Sequence, residues 1–155
     1  MKTSLIQKLR CPTCRSDLVL VDAESHGEEI ETGRLFCQSC QRQYPIRNAI
    51  PRFVEDGYAV SFGYQWNRFR QSQLDSYSGL SISRDRFLRQ TGWDRAMLQG
   101  SEVLDVGCGA GRFAEVALSL GAEVVAVDAS SAIDACWQNL RTHGSRCAFP
   151  TISPS

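Results

Sequence analysis

Three glycines and two acids in one short stretch carry the first chemistry legible in this chain. Residues 102–128 read EVLDVGCGAGRFAEVALSLGAEVVAVD, the pattern of a strand, a glycine turn, a helix and a strand with an acid at its end. Residues 103–106 form a short apolar run followed at once by glycines, which suits a strand buried on both faces of a parallel sheet. Gly107, Gly109 and Gly111 let the backbone turn tightly and lie close to a ligand. Residues 112–120 read as a short apolar helix, and Gly121 stands in the helix-stopping position. Residues 123–127 are the second strand, and Asp128 sits at its carboxyl end. Open α/β sheets hold ligands there, over the first turn, and an acid in that place can accept hydrogen bonds from both hydroxyls of a ribose.

Four cysteines carry the second chemistry. Cys11-Pro-Thr-Cys14 and Cys37-Gln-Ser-Cys40 are two C-x-x-C pairs separated by 22 residues. Each pair puts two thiolates on one tight turn, and two such turns close a tetrahedral site with Zn–S distances of about 2.3 Å. Four sulfurs leave no position open for water, so the expected zinc is structural. A module this small buries little core, and the metal would supply folding energy outright.

The glycine spacing narrows the ligand. The dinucleotide fingerprint G-x-G-x-x-G needs a glycine at position 112, where this chain has Arg112. The third glycine comes one residue early, and Asp128 follows it by 17 residues. This G-C-G-A-G turn resembles motif I of the class I S-adenosylmethionine (SAM)-dependent methyltransferases, and VVAVDAS resembles their second-strand motif. The resemblance implies that Gly107, Gly109 and Gly111 let the loop approach the methionine part of SAM. It implies further that Asp105 orients the ligand's ammonium, directly or through water, and that Asp128 binds the ribose hydroxyls. The alternative for Asp105 is a buried acid that caps the glycine turn. Methyl transfer displaces an already activated sulfonium, so positioning of the acceptor carries much of the catalysis and no catalytic residue is named.

The cysteine module has its own resemblance. L-x-C-P-x-C, then G-R-L-x-C-x-x-C, then Y-P-I…I-P are similar to the zinc-ribbon family that includes the small activator subunit of tRNA and protein methyltransferases. Asn48-Ala49 stands where a glycine is expected before the final I-P, and Asn tolerates the left-handed conformation. The resemblance implies a ribbon fused upstream of a methyltransferase domain and a possible protein partner for the ribbon.

The elements that must position these residues follow in order. The fold expected is α/β: an N-terminal small β zinc ribbon, then the first βαβα portion of a Rossmann-like SAM methyltransferase fold. Residues 1–55 are the ribbon, with strands at 17–21 and 30–36, Gly33 at a turn or bulge, and an extended segment after the second knuckle that Pro45 and Pro51 restrict to an edge or loop. Residues 56–80 are an aromatic-rich connector in which Phe62, Trp66 and Phe69 fall at helical spacing, either packing on a core or covering the cofactor pocket. Residues 81–144 are the methyltransferase portion. Ser81 or Ser83 caps a helix with Phe87, Leu88, Trp93, Met97 and Leu98 on its apolar side, and Gly92 splits it. After Asp128, Ser130 or Ser131 caps another helix whose Ile133, Cys136, Trp137 and Leu140 share one face, with Asp134 at capping-box spacing. Residues 145–155 read as a disordered tail with no further strand. On that reading the chain is a truncated or frameshifted form lacking the substrate half, with one strand edge left bare.

Bulk properties set the outer bounds. The chain has 155 residues, a formal net charge of zero and seven cysteines. Zero net charge lends no support to nucleic-acid binding. No apolar run reaches the ~18 residues of a membrane span, no signal-peptide core precedes the module, and a cytoplasmic location is expected. The methyl acceptor is left open. Two further readings stand beside methyl transfer: a zinc-ribbon protein-binding or activator module with a vestigial methyltransferase portion, and a nicotinamide dehydrogenase, against which Arg112 argues.

Overall fold

The computed structural model describes residues 1–54 and 68–148, which divide between two compact units. The first is a four-stranded antiparallel meander, β1 (Val19–His26), β2 (Glu29–Phe36), β3 (Gln43–Arg47) and β4 (Ile50–Pro51), in that order. A one-turn helix, α1 (Thr3–Ile6), precedes it. The N-terminal stretch bonds to the start of β2: the Met1 ammonium donates to the Ile30 carbonyl at 2.6 Å, and the Ile30 amide donates to the Met1 carbonyl at 2.7 Å.

Alternation decides which side chains this sheet buries. Tyr44 and Ile46 of β3 follow it; Ile30 and Leu35 of β2 are both buried although five positions apart, out of phase across Gly33, and Leu5, Leu18 and Ile50 are buried with them. Complete burial of Leu35, Ile46 and Ile50 contributes about 1.5–3 kcal/mol each. The register of β1 against β2 shifts between Val21 and Glu24, opposite Gly33, so the expected irregularity is a bulge. A methyl group on Gly33 would stand 3.1 Å from the Ala23 Cα. Pro45 does not confine its strand to an edge, because β3 lies between β2 and β4. The ring withholds a donor, but the Pro45 carbonyl still accepts from the Arg52 amide at 2.8 Å.

The second unit is built on three parallel strands, β5 (Glu102–Val106), β6 (Glu123–Val127) and β7 (Cys147–Ala148), in the order β5-β6-β7. Helix α5 (Arg112–Ser119) joins β5 to β6, and α6 (Ala132–Leu140) with a 3-10 helix (Arg141–Arg146) joins β6 to β7. Upstream lie α2 (Asp75–Ser78), α3 (Ile82–Thr91) and α4 (Arg95–Leu98). This antiparallel ribbon followed by a partial Rossmann-like sheet is the fold class the sequence implies. The absence of a third strand is corrected: Val124 and Val125 of β6 pair in parallel with Cys147 and Ala148. Two residues are too few to read as an apolar run, and their neighbour in the sheet defines them. The remainder of the tail, and most of the connector with Phe62 and Trp66, lies outside the described residues. Phe69 is 60% exposed and does not pack into a core.

Burial of β5 on both faces is corrected as well. Leu104 is 62% and Val106 65% exposed, while Val103 and Asp105 turn toward the helices. Among the described residues β5 is an edge strand with one apolar face open. Apolar packing concentrates on β6, α5 and α6, where Leu118, Ile133, Cys136 and Ala126 are fully buried.

The start of α3 uses another cap than the sequence suggests. Ser81 makes no capping bond to α3. Asp75 takes that part from outside the helix, accepting from the Ser83 amide at 2.9 Å and the Arg84 amide at 2.8 Å. Burial pushes its carboxyl up, but those amides outweigh it and hold the group below the usual range. Gly92 ends α3 in the left-handed conformation at φ 68°, and Asp94 caps α4 by accepting from the Met97 amide at 2.8 Å.

The turn between β3 and β4 stores strain that can be measured. Arg47 pairs with Ile50, so Asn48 and Ala49 are the two loop residues, at φ 52° and 61°. A two-residue hairpin of this kind favours Asn-Gly, and the left-handed region costs a residue with a Cβ roughly 1–2 kcal/mol. Ala49→Gly is expected to raise the unfolding free energy by about 1 kcal/mol in denaturant titration of the metal-loaded chain. A lower midpoint would mean that burial of the Ala49 methyl outweighs the strain.

Candidate cofactor corner and metal centre

The carboxyl ends of β5 and β6 meet at the glycine turn. The Gly107 and Cys108 amides donate to the Val127 carbonyl at 2.8 and 3.1 Å, which pins the turn to the last residue of β6. The Gly109 amide donates to Asp128 Oδ2 at 2.9 Å. Asp128 Oδ1 accepts from the Ser130 amide at 2.8 Å and from the Ser130 hydroxyl at 2.7 Å. The two ends, far apart in sequence, are thereby one object. A carboxylate offers about four lone-pair sites, so these three bonds leave Asp128 able to accept from a further donor.

The glycines of the turn do different work. Gly107 has φ 78°, and a methyl group there would meet no atom within 4 Å. Its bare backbone therefore faces open space. Gly111 has φ 93° and faces inward: a Cβ there would stand 2.7 Å from Leu140 Cδ1 and 2.8 Å from Cys136 Sγ. The approach that Gly111 permits in this structure is that of α6 against the start of α5.

Asp105 lies beneath the turn. Burial raises its pKa, the nearby Asp128 charge adds to that, and the Ala114 amide at the start of α5 opposes it. The second oxygen, Oδ2, is buried with no hydrogen-bond partner. A buried acceptor without a donor is costly, and it fits a site whose donor arrives with a ligand.

The polar frame around this corner escaped the sequence reading. Glu115 is buried on α5 and accepts from the Asp75 amide at 3.0 Å and from the Ser76 hydroxyl, which caps the start of α2. Arg112, at the position where a dinucleotide fingerprint has glycine, donates from Nε to the Ser83 hydroxyl at 2.9 Å. Asn139 on α6 donates to the Ala110 carbonyl at 2.9 Å and the Arg70 carbonyl at 2.8 Å. The available signal was an acid or an amide inside an otherwise apolar helix; what each would meet was not legible.

In the first unit the four cysteine sulfurs all lie within 4.8 Å of one another. Cys11 and Cys40 are 3.5 Å apart, and Cys14 and Cys37 3.4 Å. A tetrahedron with Zn–S bonds of about 2.3 Å has S···S edges of roughly 3.8 Å, so the donor set fits zinc. The two knuckles repeat one geometry. The Arg15 amide donates to the Cys11 carbonyl at 2.8 Å and the Gln41 amide to the Cys37 carbonyl at 2.9 Å. Arg15 and Gln41 share φ 62°, the left-handed conformation that closes each turn. Burial pushes the Cys11 thiol up, but the hydrogen bond from Tyr44 and the amides of Cys14 and Thr13 bring it down to about 6. At Cys40 the Arg42 amide pulls the other way, yet burial and the neighbouring sulfurs push it up to about 12. Four sulfurs this close cannot all ionise without a cation among them. His26, on the exposed β1–β2 hairpin, is not among these ligands.

Comparison with known families agrees with both units. Residues 2–48 match the family described as Trm112p-like protein. Residues 104–151 match the family described as methyltransferase domain. No curated protein matches the chain. Both resemblances read from the sequence are thus found, in the expected order, and the second supports methyl transfer as the general chemistry. No helix among the described residues is long and apolar enough to cross a membrane.

Because the first unit's core is small, removal of metal is expected to unfold it. The purified chain should hold one zinc ion by atomic emission, and a strong chelator should remove the first unit's share of its β-sheet circular dichroism. Cys37→Ser should lose the ion. A chelated chain that keeps its unfolding transition unchanged would reject a metal-dependent fold.

Proposed function

We propose that the second unit binds S-adenosylmethionine at the glycine corner and belongs to an enzyme that moves the methyl group to an acceptor. The single observation that carries this is the Gly109–Asp128 hydrogen bond with Gly107 facing open space beside it. A bare backbone and a carboxylate with spare lone pairs are held side by side at the carboxyl ends of two parallel strands. The match to a methyltransferase domain supports the same reading.

When bound, the ligand supplies a methyl group already activated on a sulfonium. The chain's own residues position it. Asp128 accepts from the ribose hydroxyls, and Gly107 and Gly109 bring bare backbone against the methionine part. Gly111 keeps that turn close to α6. Asp105 uses its unpartnered oxygen to orient the ammonium, directly or through a water. In the first unit Cys11, Cys14, Cys37 and Cys40 hold a structural zinc, and a metal held by free thiolates suits a reducing compartment such as the cytoplasm. The acceptor is not named by these residues.

A second reading is that the ribbon is a docking or activator module for a protein partner. It is favoured by the match of residues 2–48 to Trm112p-like protein and by a four-sulfur site held within one unit. Co-purification with a protein partner and zinc, without SAM, would support it over the first.

Isothermal titration of the zinc-loaded chain with SAM and with its demethylated product tests cofactor binding. Binding is expected, and Asp128→Ala should weaken it about tenfold or more, as loss of a charged acceptor does. No heat at millimolar ligand would sink cofactor binding by this chain.

Asp105 makes a second, separable prediction. Its pKa is raised in the folded state, so the folded protein holds that proton more tightly than the unfolded chain does. Its contribution to stability is present below the ordinary carboxylate value and is lost as pH rises through the raised one. Asp105→Asn should flatten this slope and stabilise the free protein at neutral pH by roughly 1 kcal/mol, while weakening SAM binding. Unfolding curves at several pH values, set beside the titrations, check both halves.

A further inference from the structure

A cation held by four thiolates keeps a net negative charge on its sulfurs, and a buried sulfur must share that charge with hydrogen-bond donors. Cys11 is such a case, 1% exposed at the base of its knuckle. Its Sγ lies 3.3 Å from the Tyr44 hydroxyl, and that hydroxyl lies 3.3 Å from Thr13 Oγ1. The chemistry of the three groups sets the direction of the chain. A metal-bound thiolate has no proton and only accepts, so the phenol donates to sulfur. The phenol oxygen is then left as an acceptor, which the Thr13 hydroxyl fills.

Tyr44 does not belong to either knuckle. It is carried by β3, opposite Leu35 of β2, and its ring is buried edge-on against Phe53 with centroids 4.9 Å apart. The donor therefore stands in a fixed place whether or not the sulfur needs it. Strand register, rather than the loop, aims it.

We propose that Tyr44 is a positioning residue of the metal centre: its hydroxyl, aimed by β3 and turned by Thr13, donates to the Cys11 thiolate and sets how firmly that sulfur holds the metal. This rests on the zinc reading of the four cysteines. It adds that the antiparallel sheet and the metal shell are tied by one side chain, so that the metal stabilises the register of β3 and β3 in turn stabilises the metal.

The test uses the full chain with Tyr44→Phe, which keeps the ring and its contact with Phe53, and with Thr13→Val, which removes only the outer hydroxyl. Zinc affinity is read by competition with a chromophoric chelator. The state of the sulfur is read from the sulfur-to-metal charge-transfer band of the cobalt-substituted protein. Tyr44→Phe is expected to weaken zinc by about tenfold, the lower end of what loss of such a donor costs. Its cobalt band should move to longer wavelength, because a thiolate without its donor gives up an electron more readily. Thr13→Val should shift both in the same direction by less. An unchanged band in Tyr44→Phe overturns the proposal, even with weaker zinc, since looser packing alone gives that result. If Tyr44→Phe does not fold, Thr13→Val decides by the same two readouts. Failure of the unsubstituted chain to bind zinc or cobalt would instead reject the zinc reading beneath it.

Discussion

The hydrogen bond from the Gly109 amide to the Asp128 carboxylate constrains everything around the glycine corner. It joins the loop after β5 to the residue after β6, so the two strands must end level with one another. The parallel register from Glu102 against Glu123 to Val106 against Val127 delivers that alignment. Ser130 closes the other side of the same carboxylate and so sets where α6 begins. One acid thereby organises a turn, a strand end and a helix start, and it keeps lone pairs to spare for a ligand. A side chain at Gly111 would part α6 from α5 and separate these partners.

A frame of exchanged caps holds this corner to the helices that precede it. Glu115 on α5 closes the start of α2, Asp75 at the start of α2 closes α3, and Ser83 on α3 receives Arg112 from α5. The two carboxylates satisfy amides that a helix start leaves without partners and place negative charge against the positive end of a helix dipole, and the Arg112–Ser83 bond ties α3 back to α5. The circuit returns to the helix it began on, which orients three short helices that would be marginal alone.

The first unit solves the opposite problem. It has a sheet but little core, and it carries left-handed backbone at Arg15, Gln41, Asn48 and Ala49. Two of those residues close the knuckles that bring four sulfurs within bonding distance of one ion. Strain of this kind persists where the surrounding structure over-determines it, and a cation among four thiolates would be such a determinant. The Tyr44 hydroxyl carries the same constraint from the knuckles into the strands.

What the sequence by itself determined were the features whose physics is local. Cys-x-x-Cys closes a turn wherever it stands, so the four-sulfur cluster was readable at Cys11, Cys14, Cys37 and Cys40. Glycines at 107, 109 and 111 after an apolar run, with an acid ending the next run, were enough for the strand, turn, helix and strand of the corner. Only the tertiary structure decided what depends on a neighbour distant in the chain. Asp75 rather than Ser81 caps α3, because the carboxylate reaches amides that the serine does not. Cys147–Ala148 is a strand only because β6 offers it an edge, and β5 keeps Leu104 and Val106 open because the described helices cover its other face. The part played by Gly111 likewise came from α6, whose Leu140 and Cys136 fill the space a side chain would need. Spacing along a chain encodes periodicity and turn closure; it does not encode which surfaces meet, and burial, capping and strand identity are properties of those meetings.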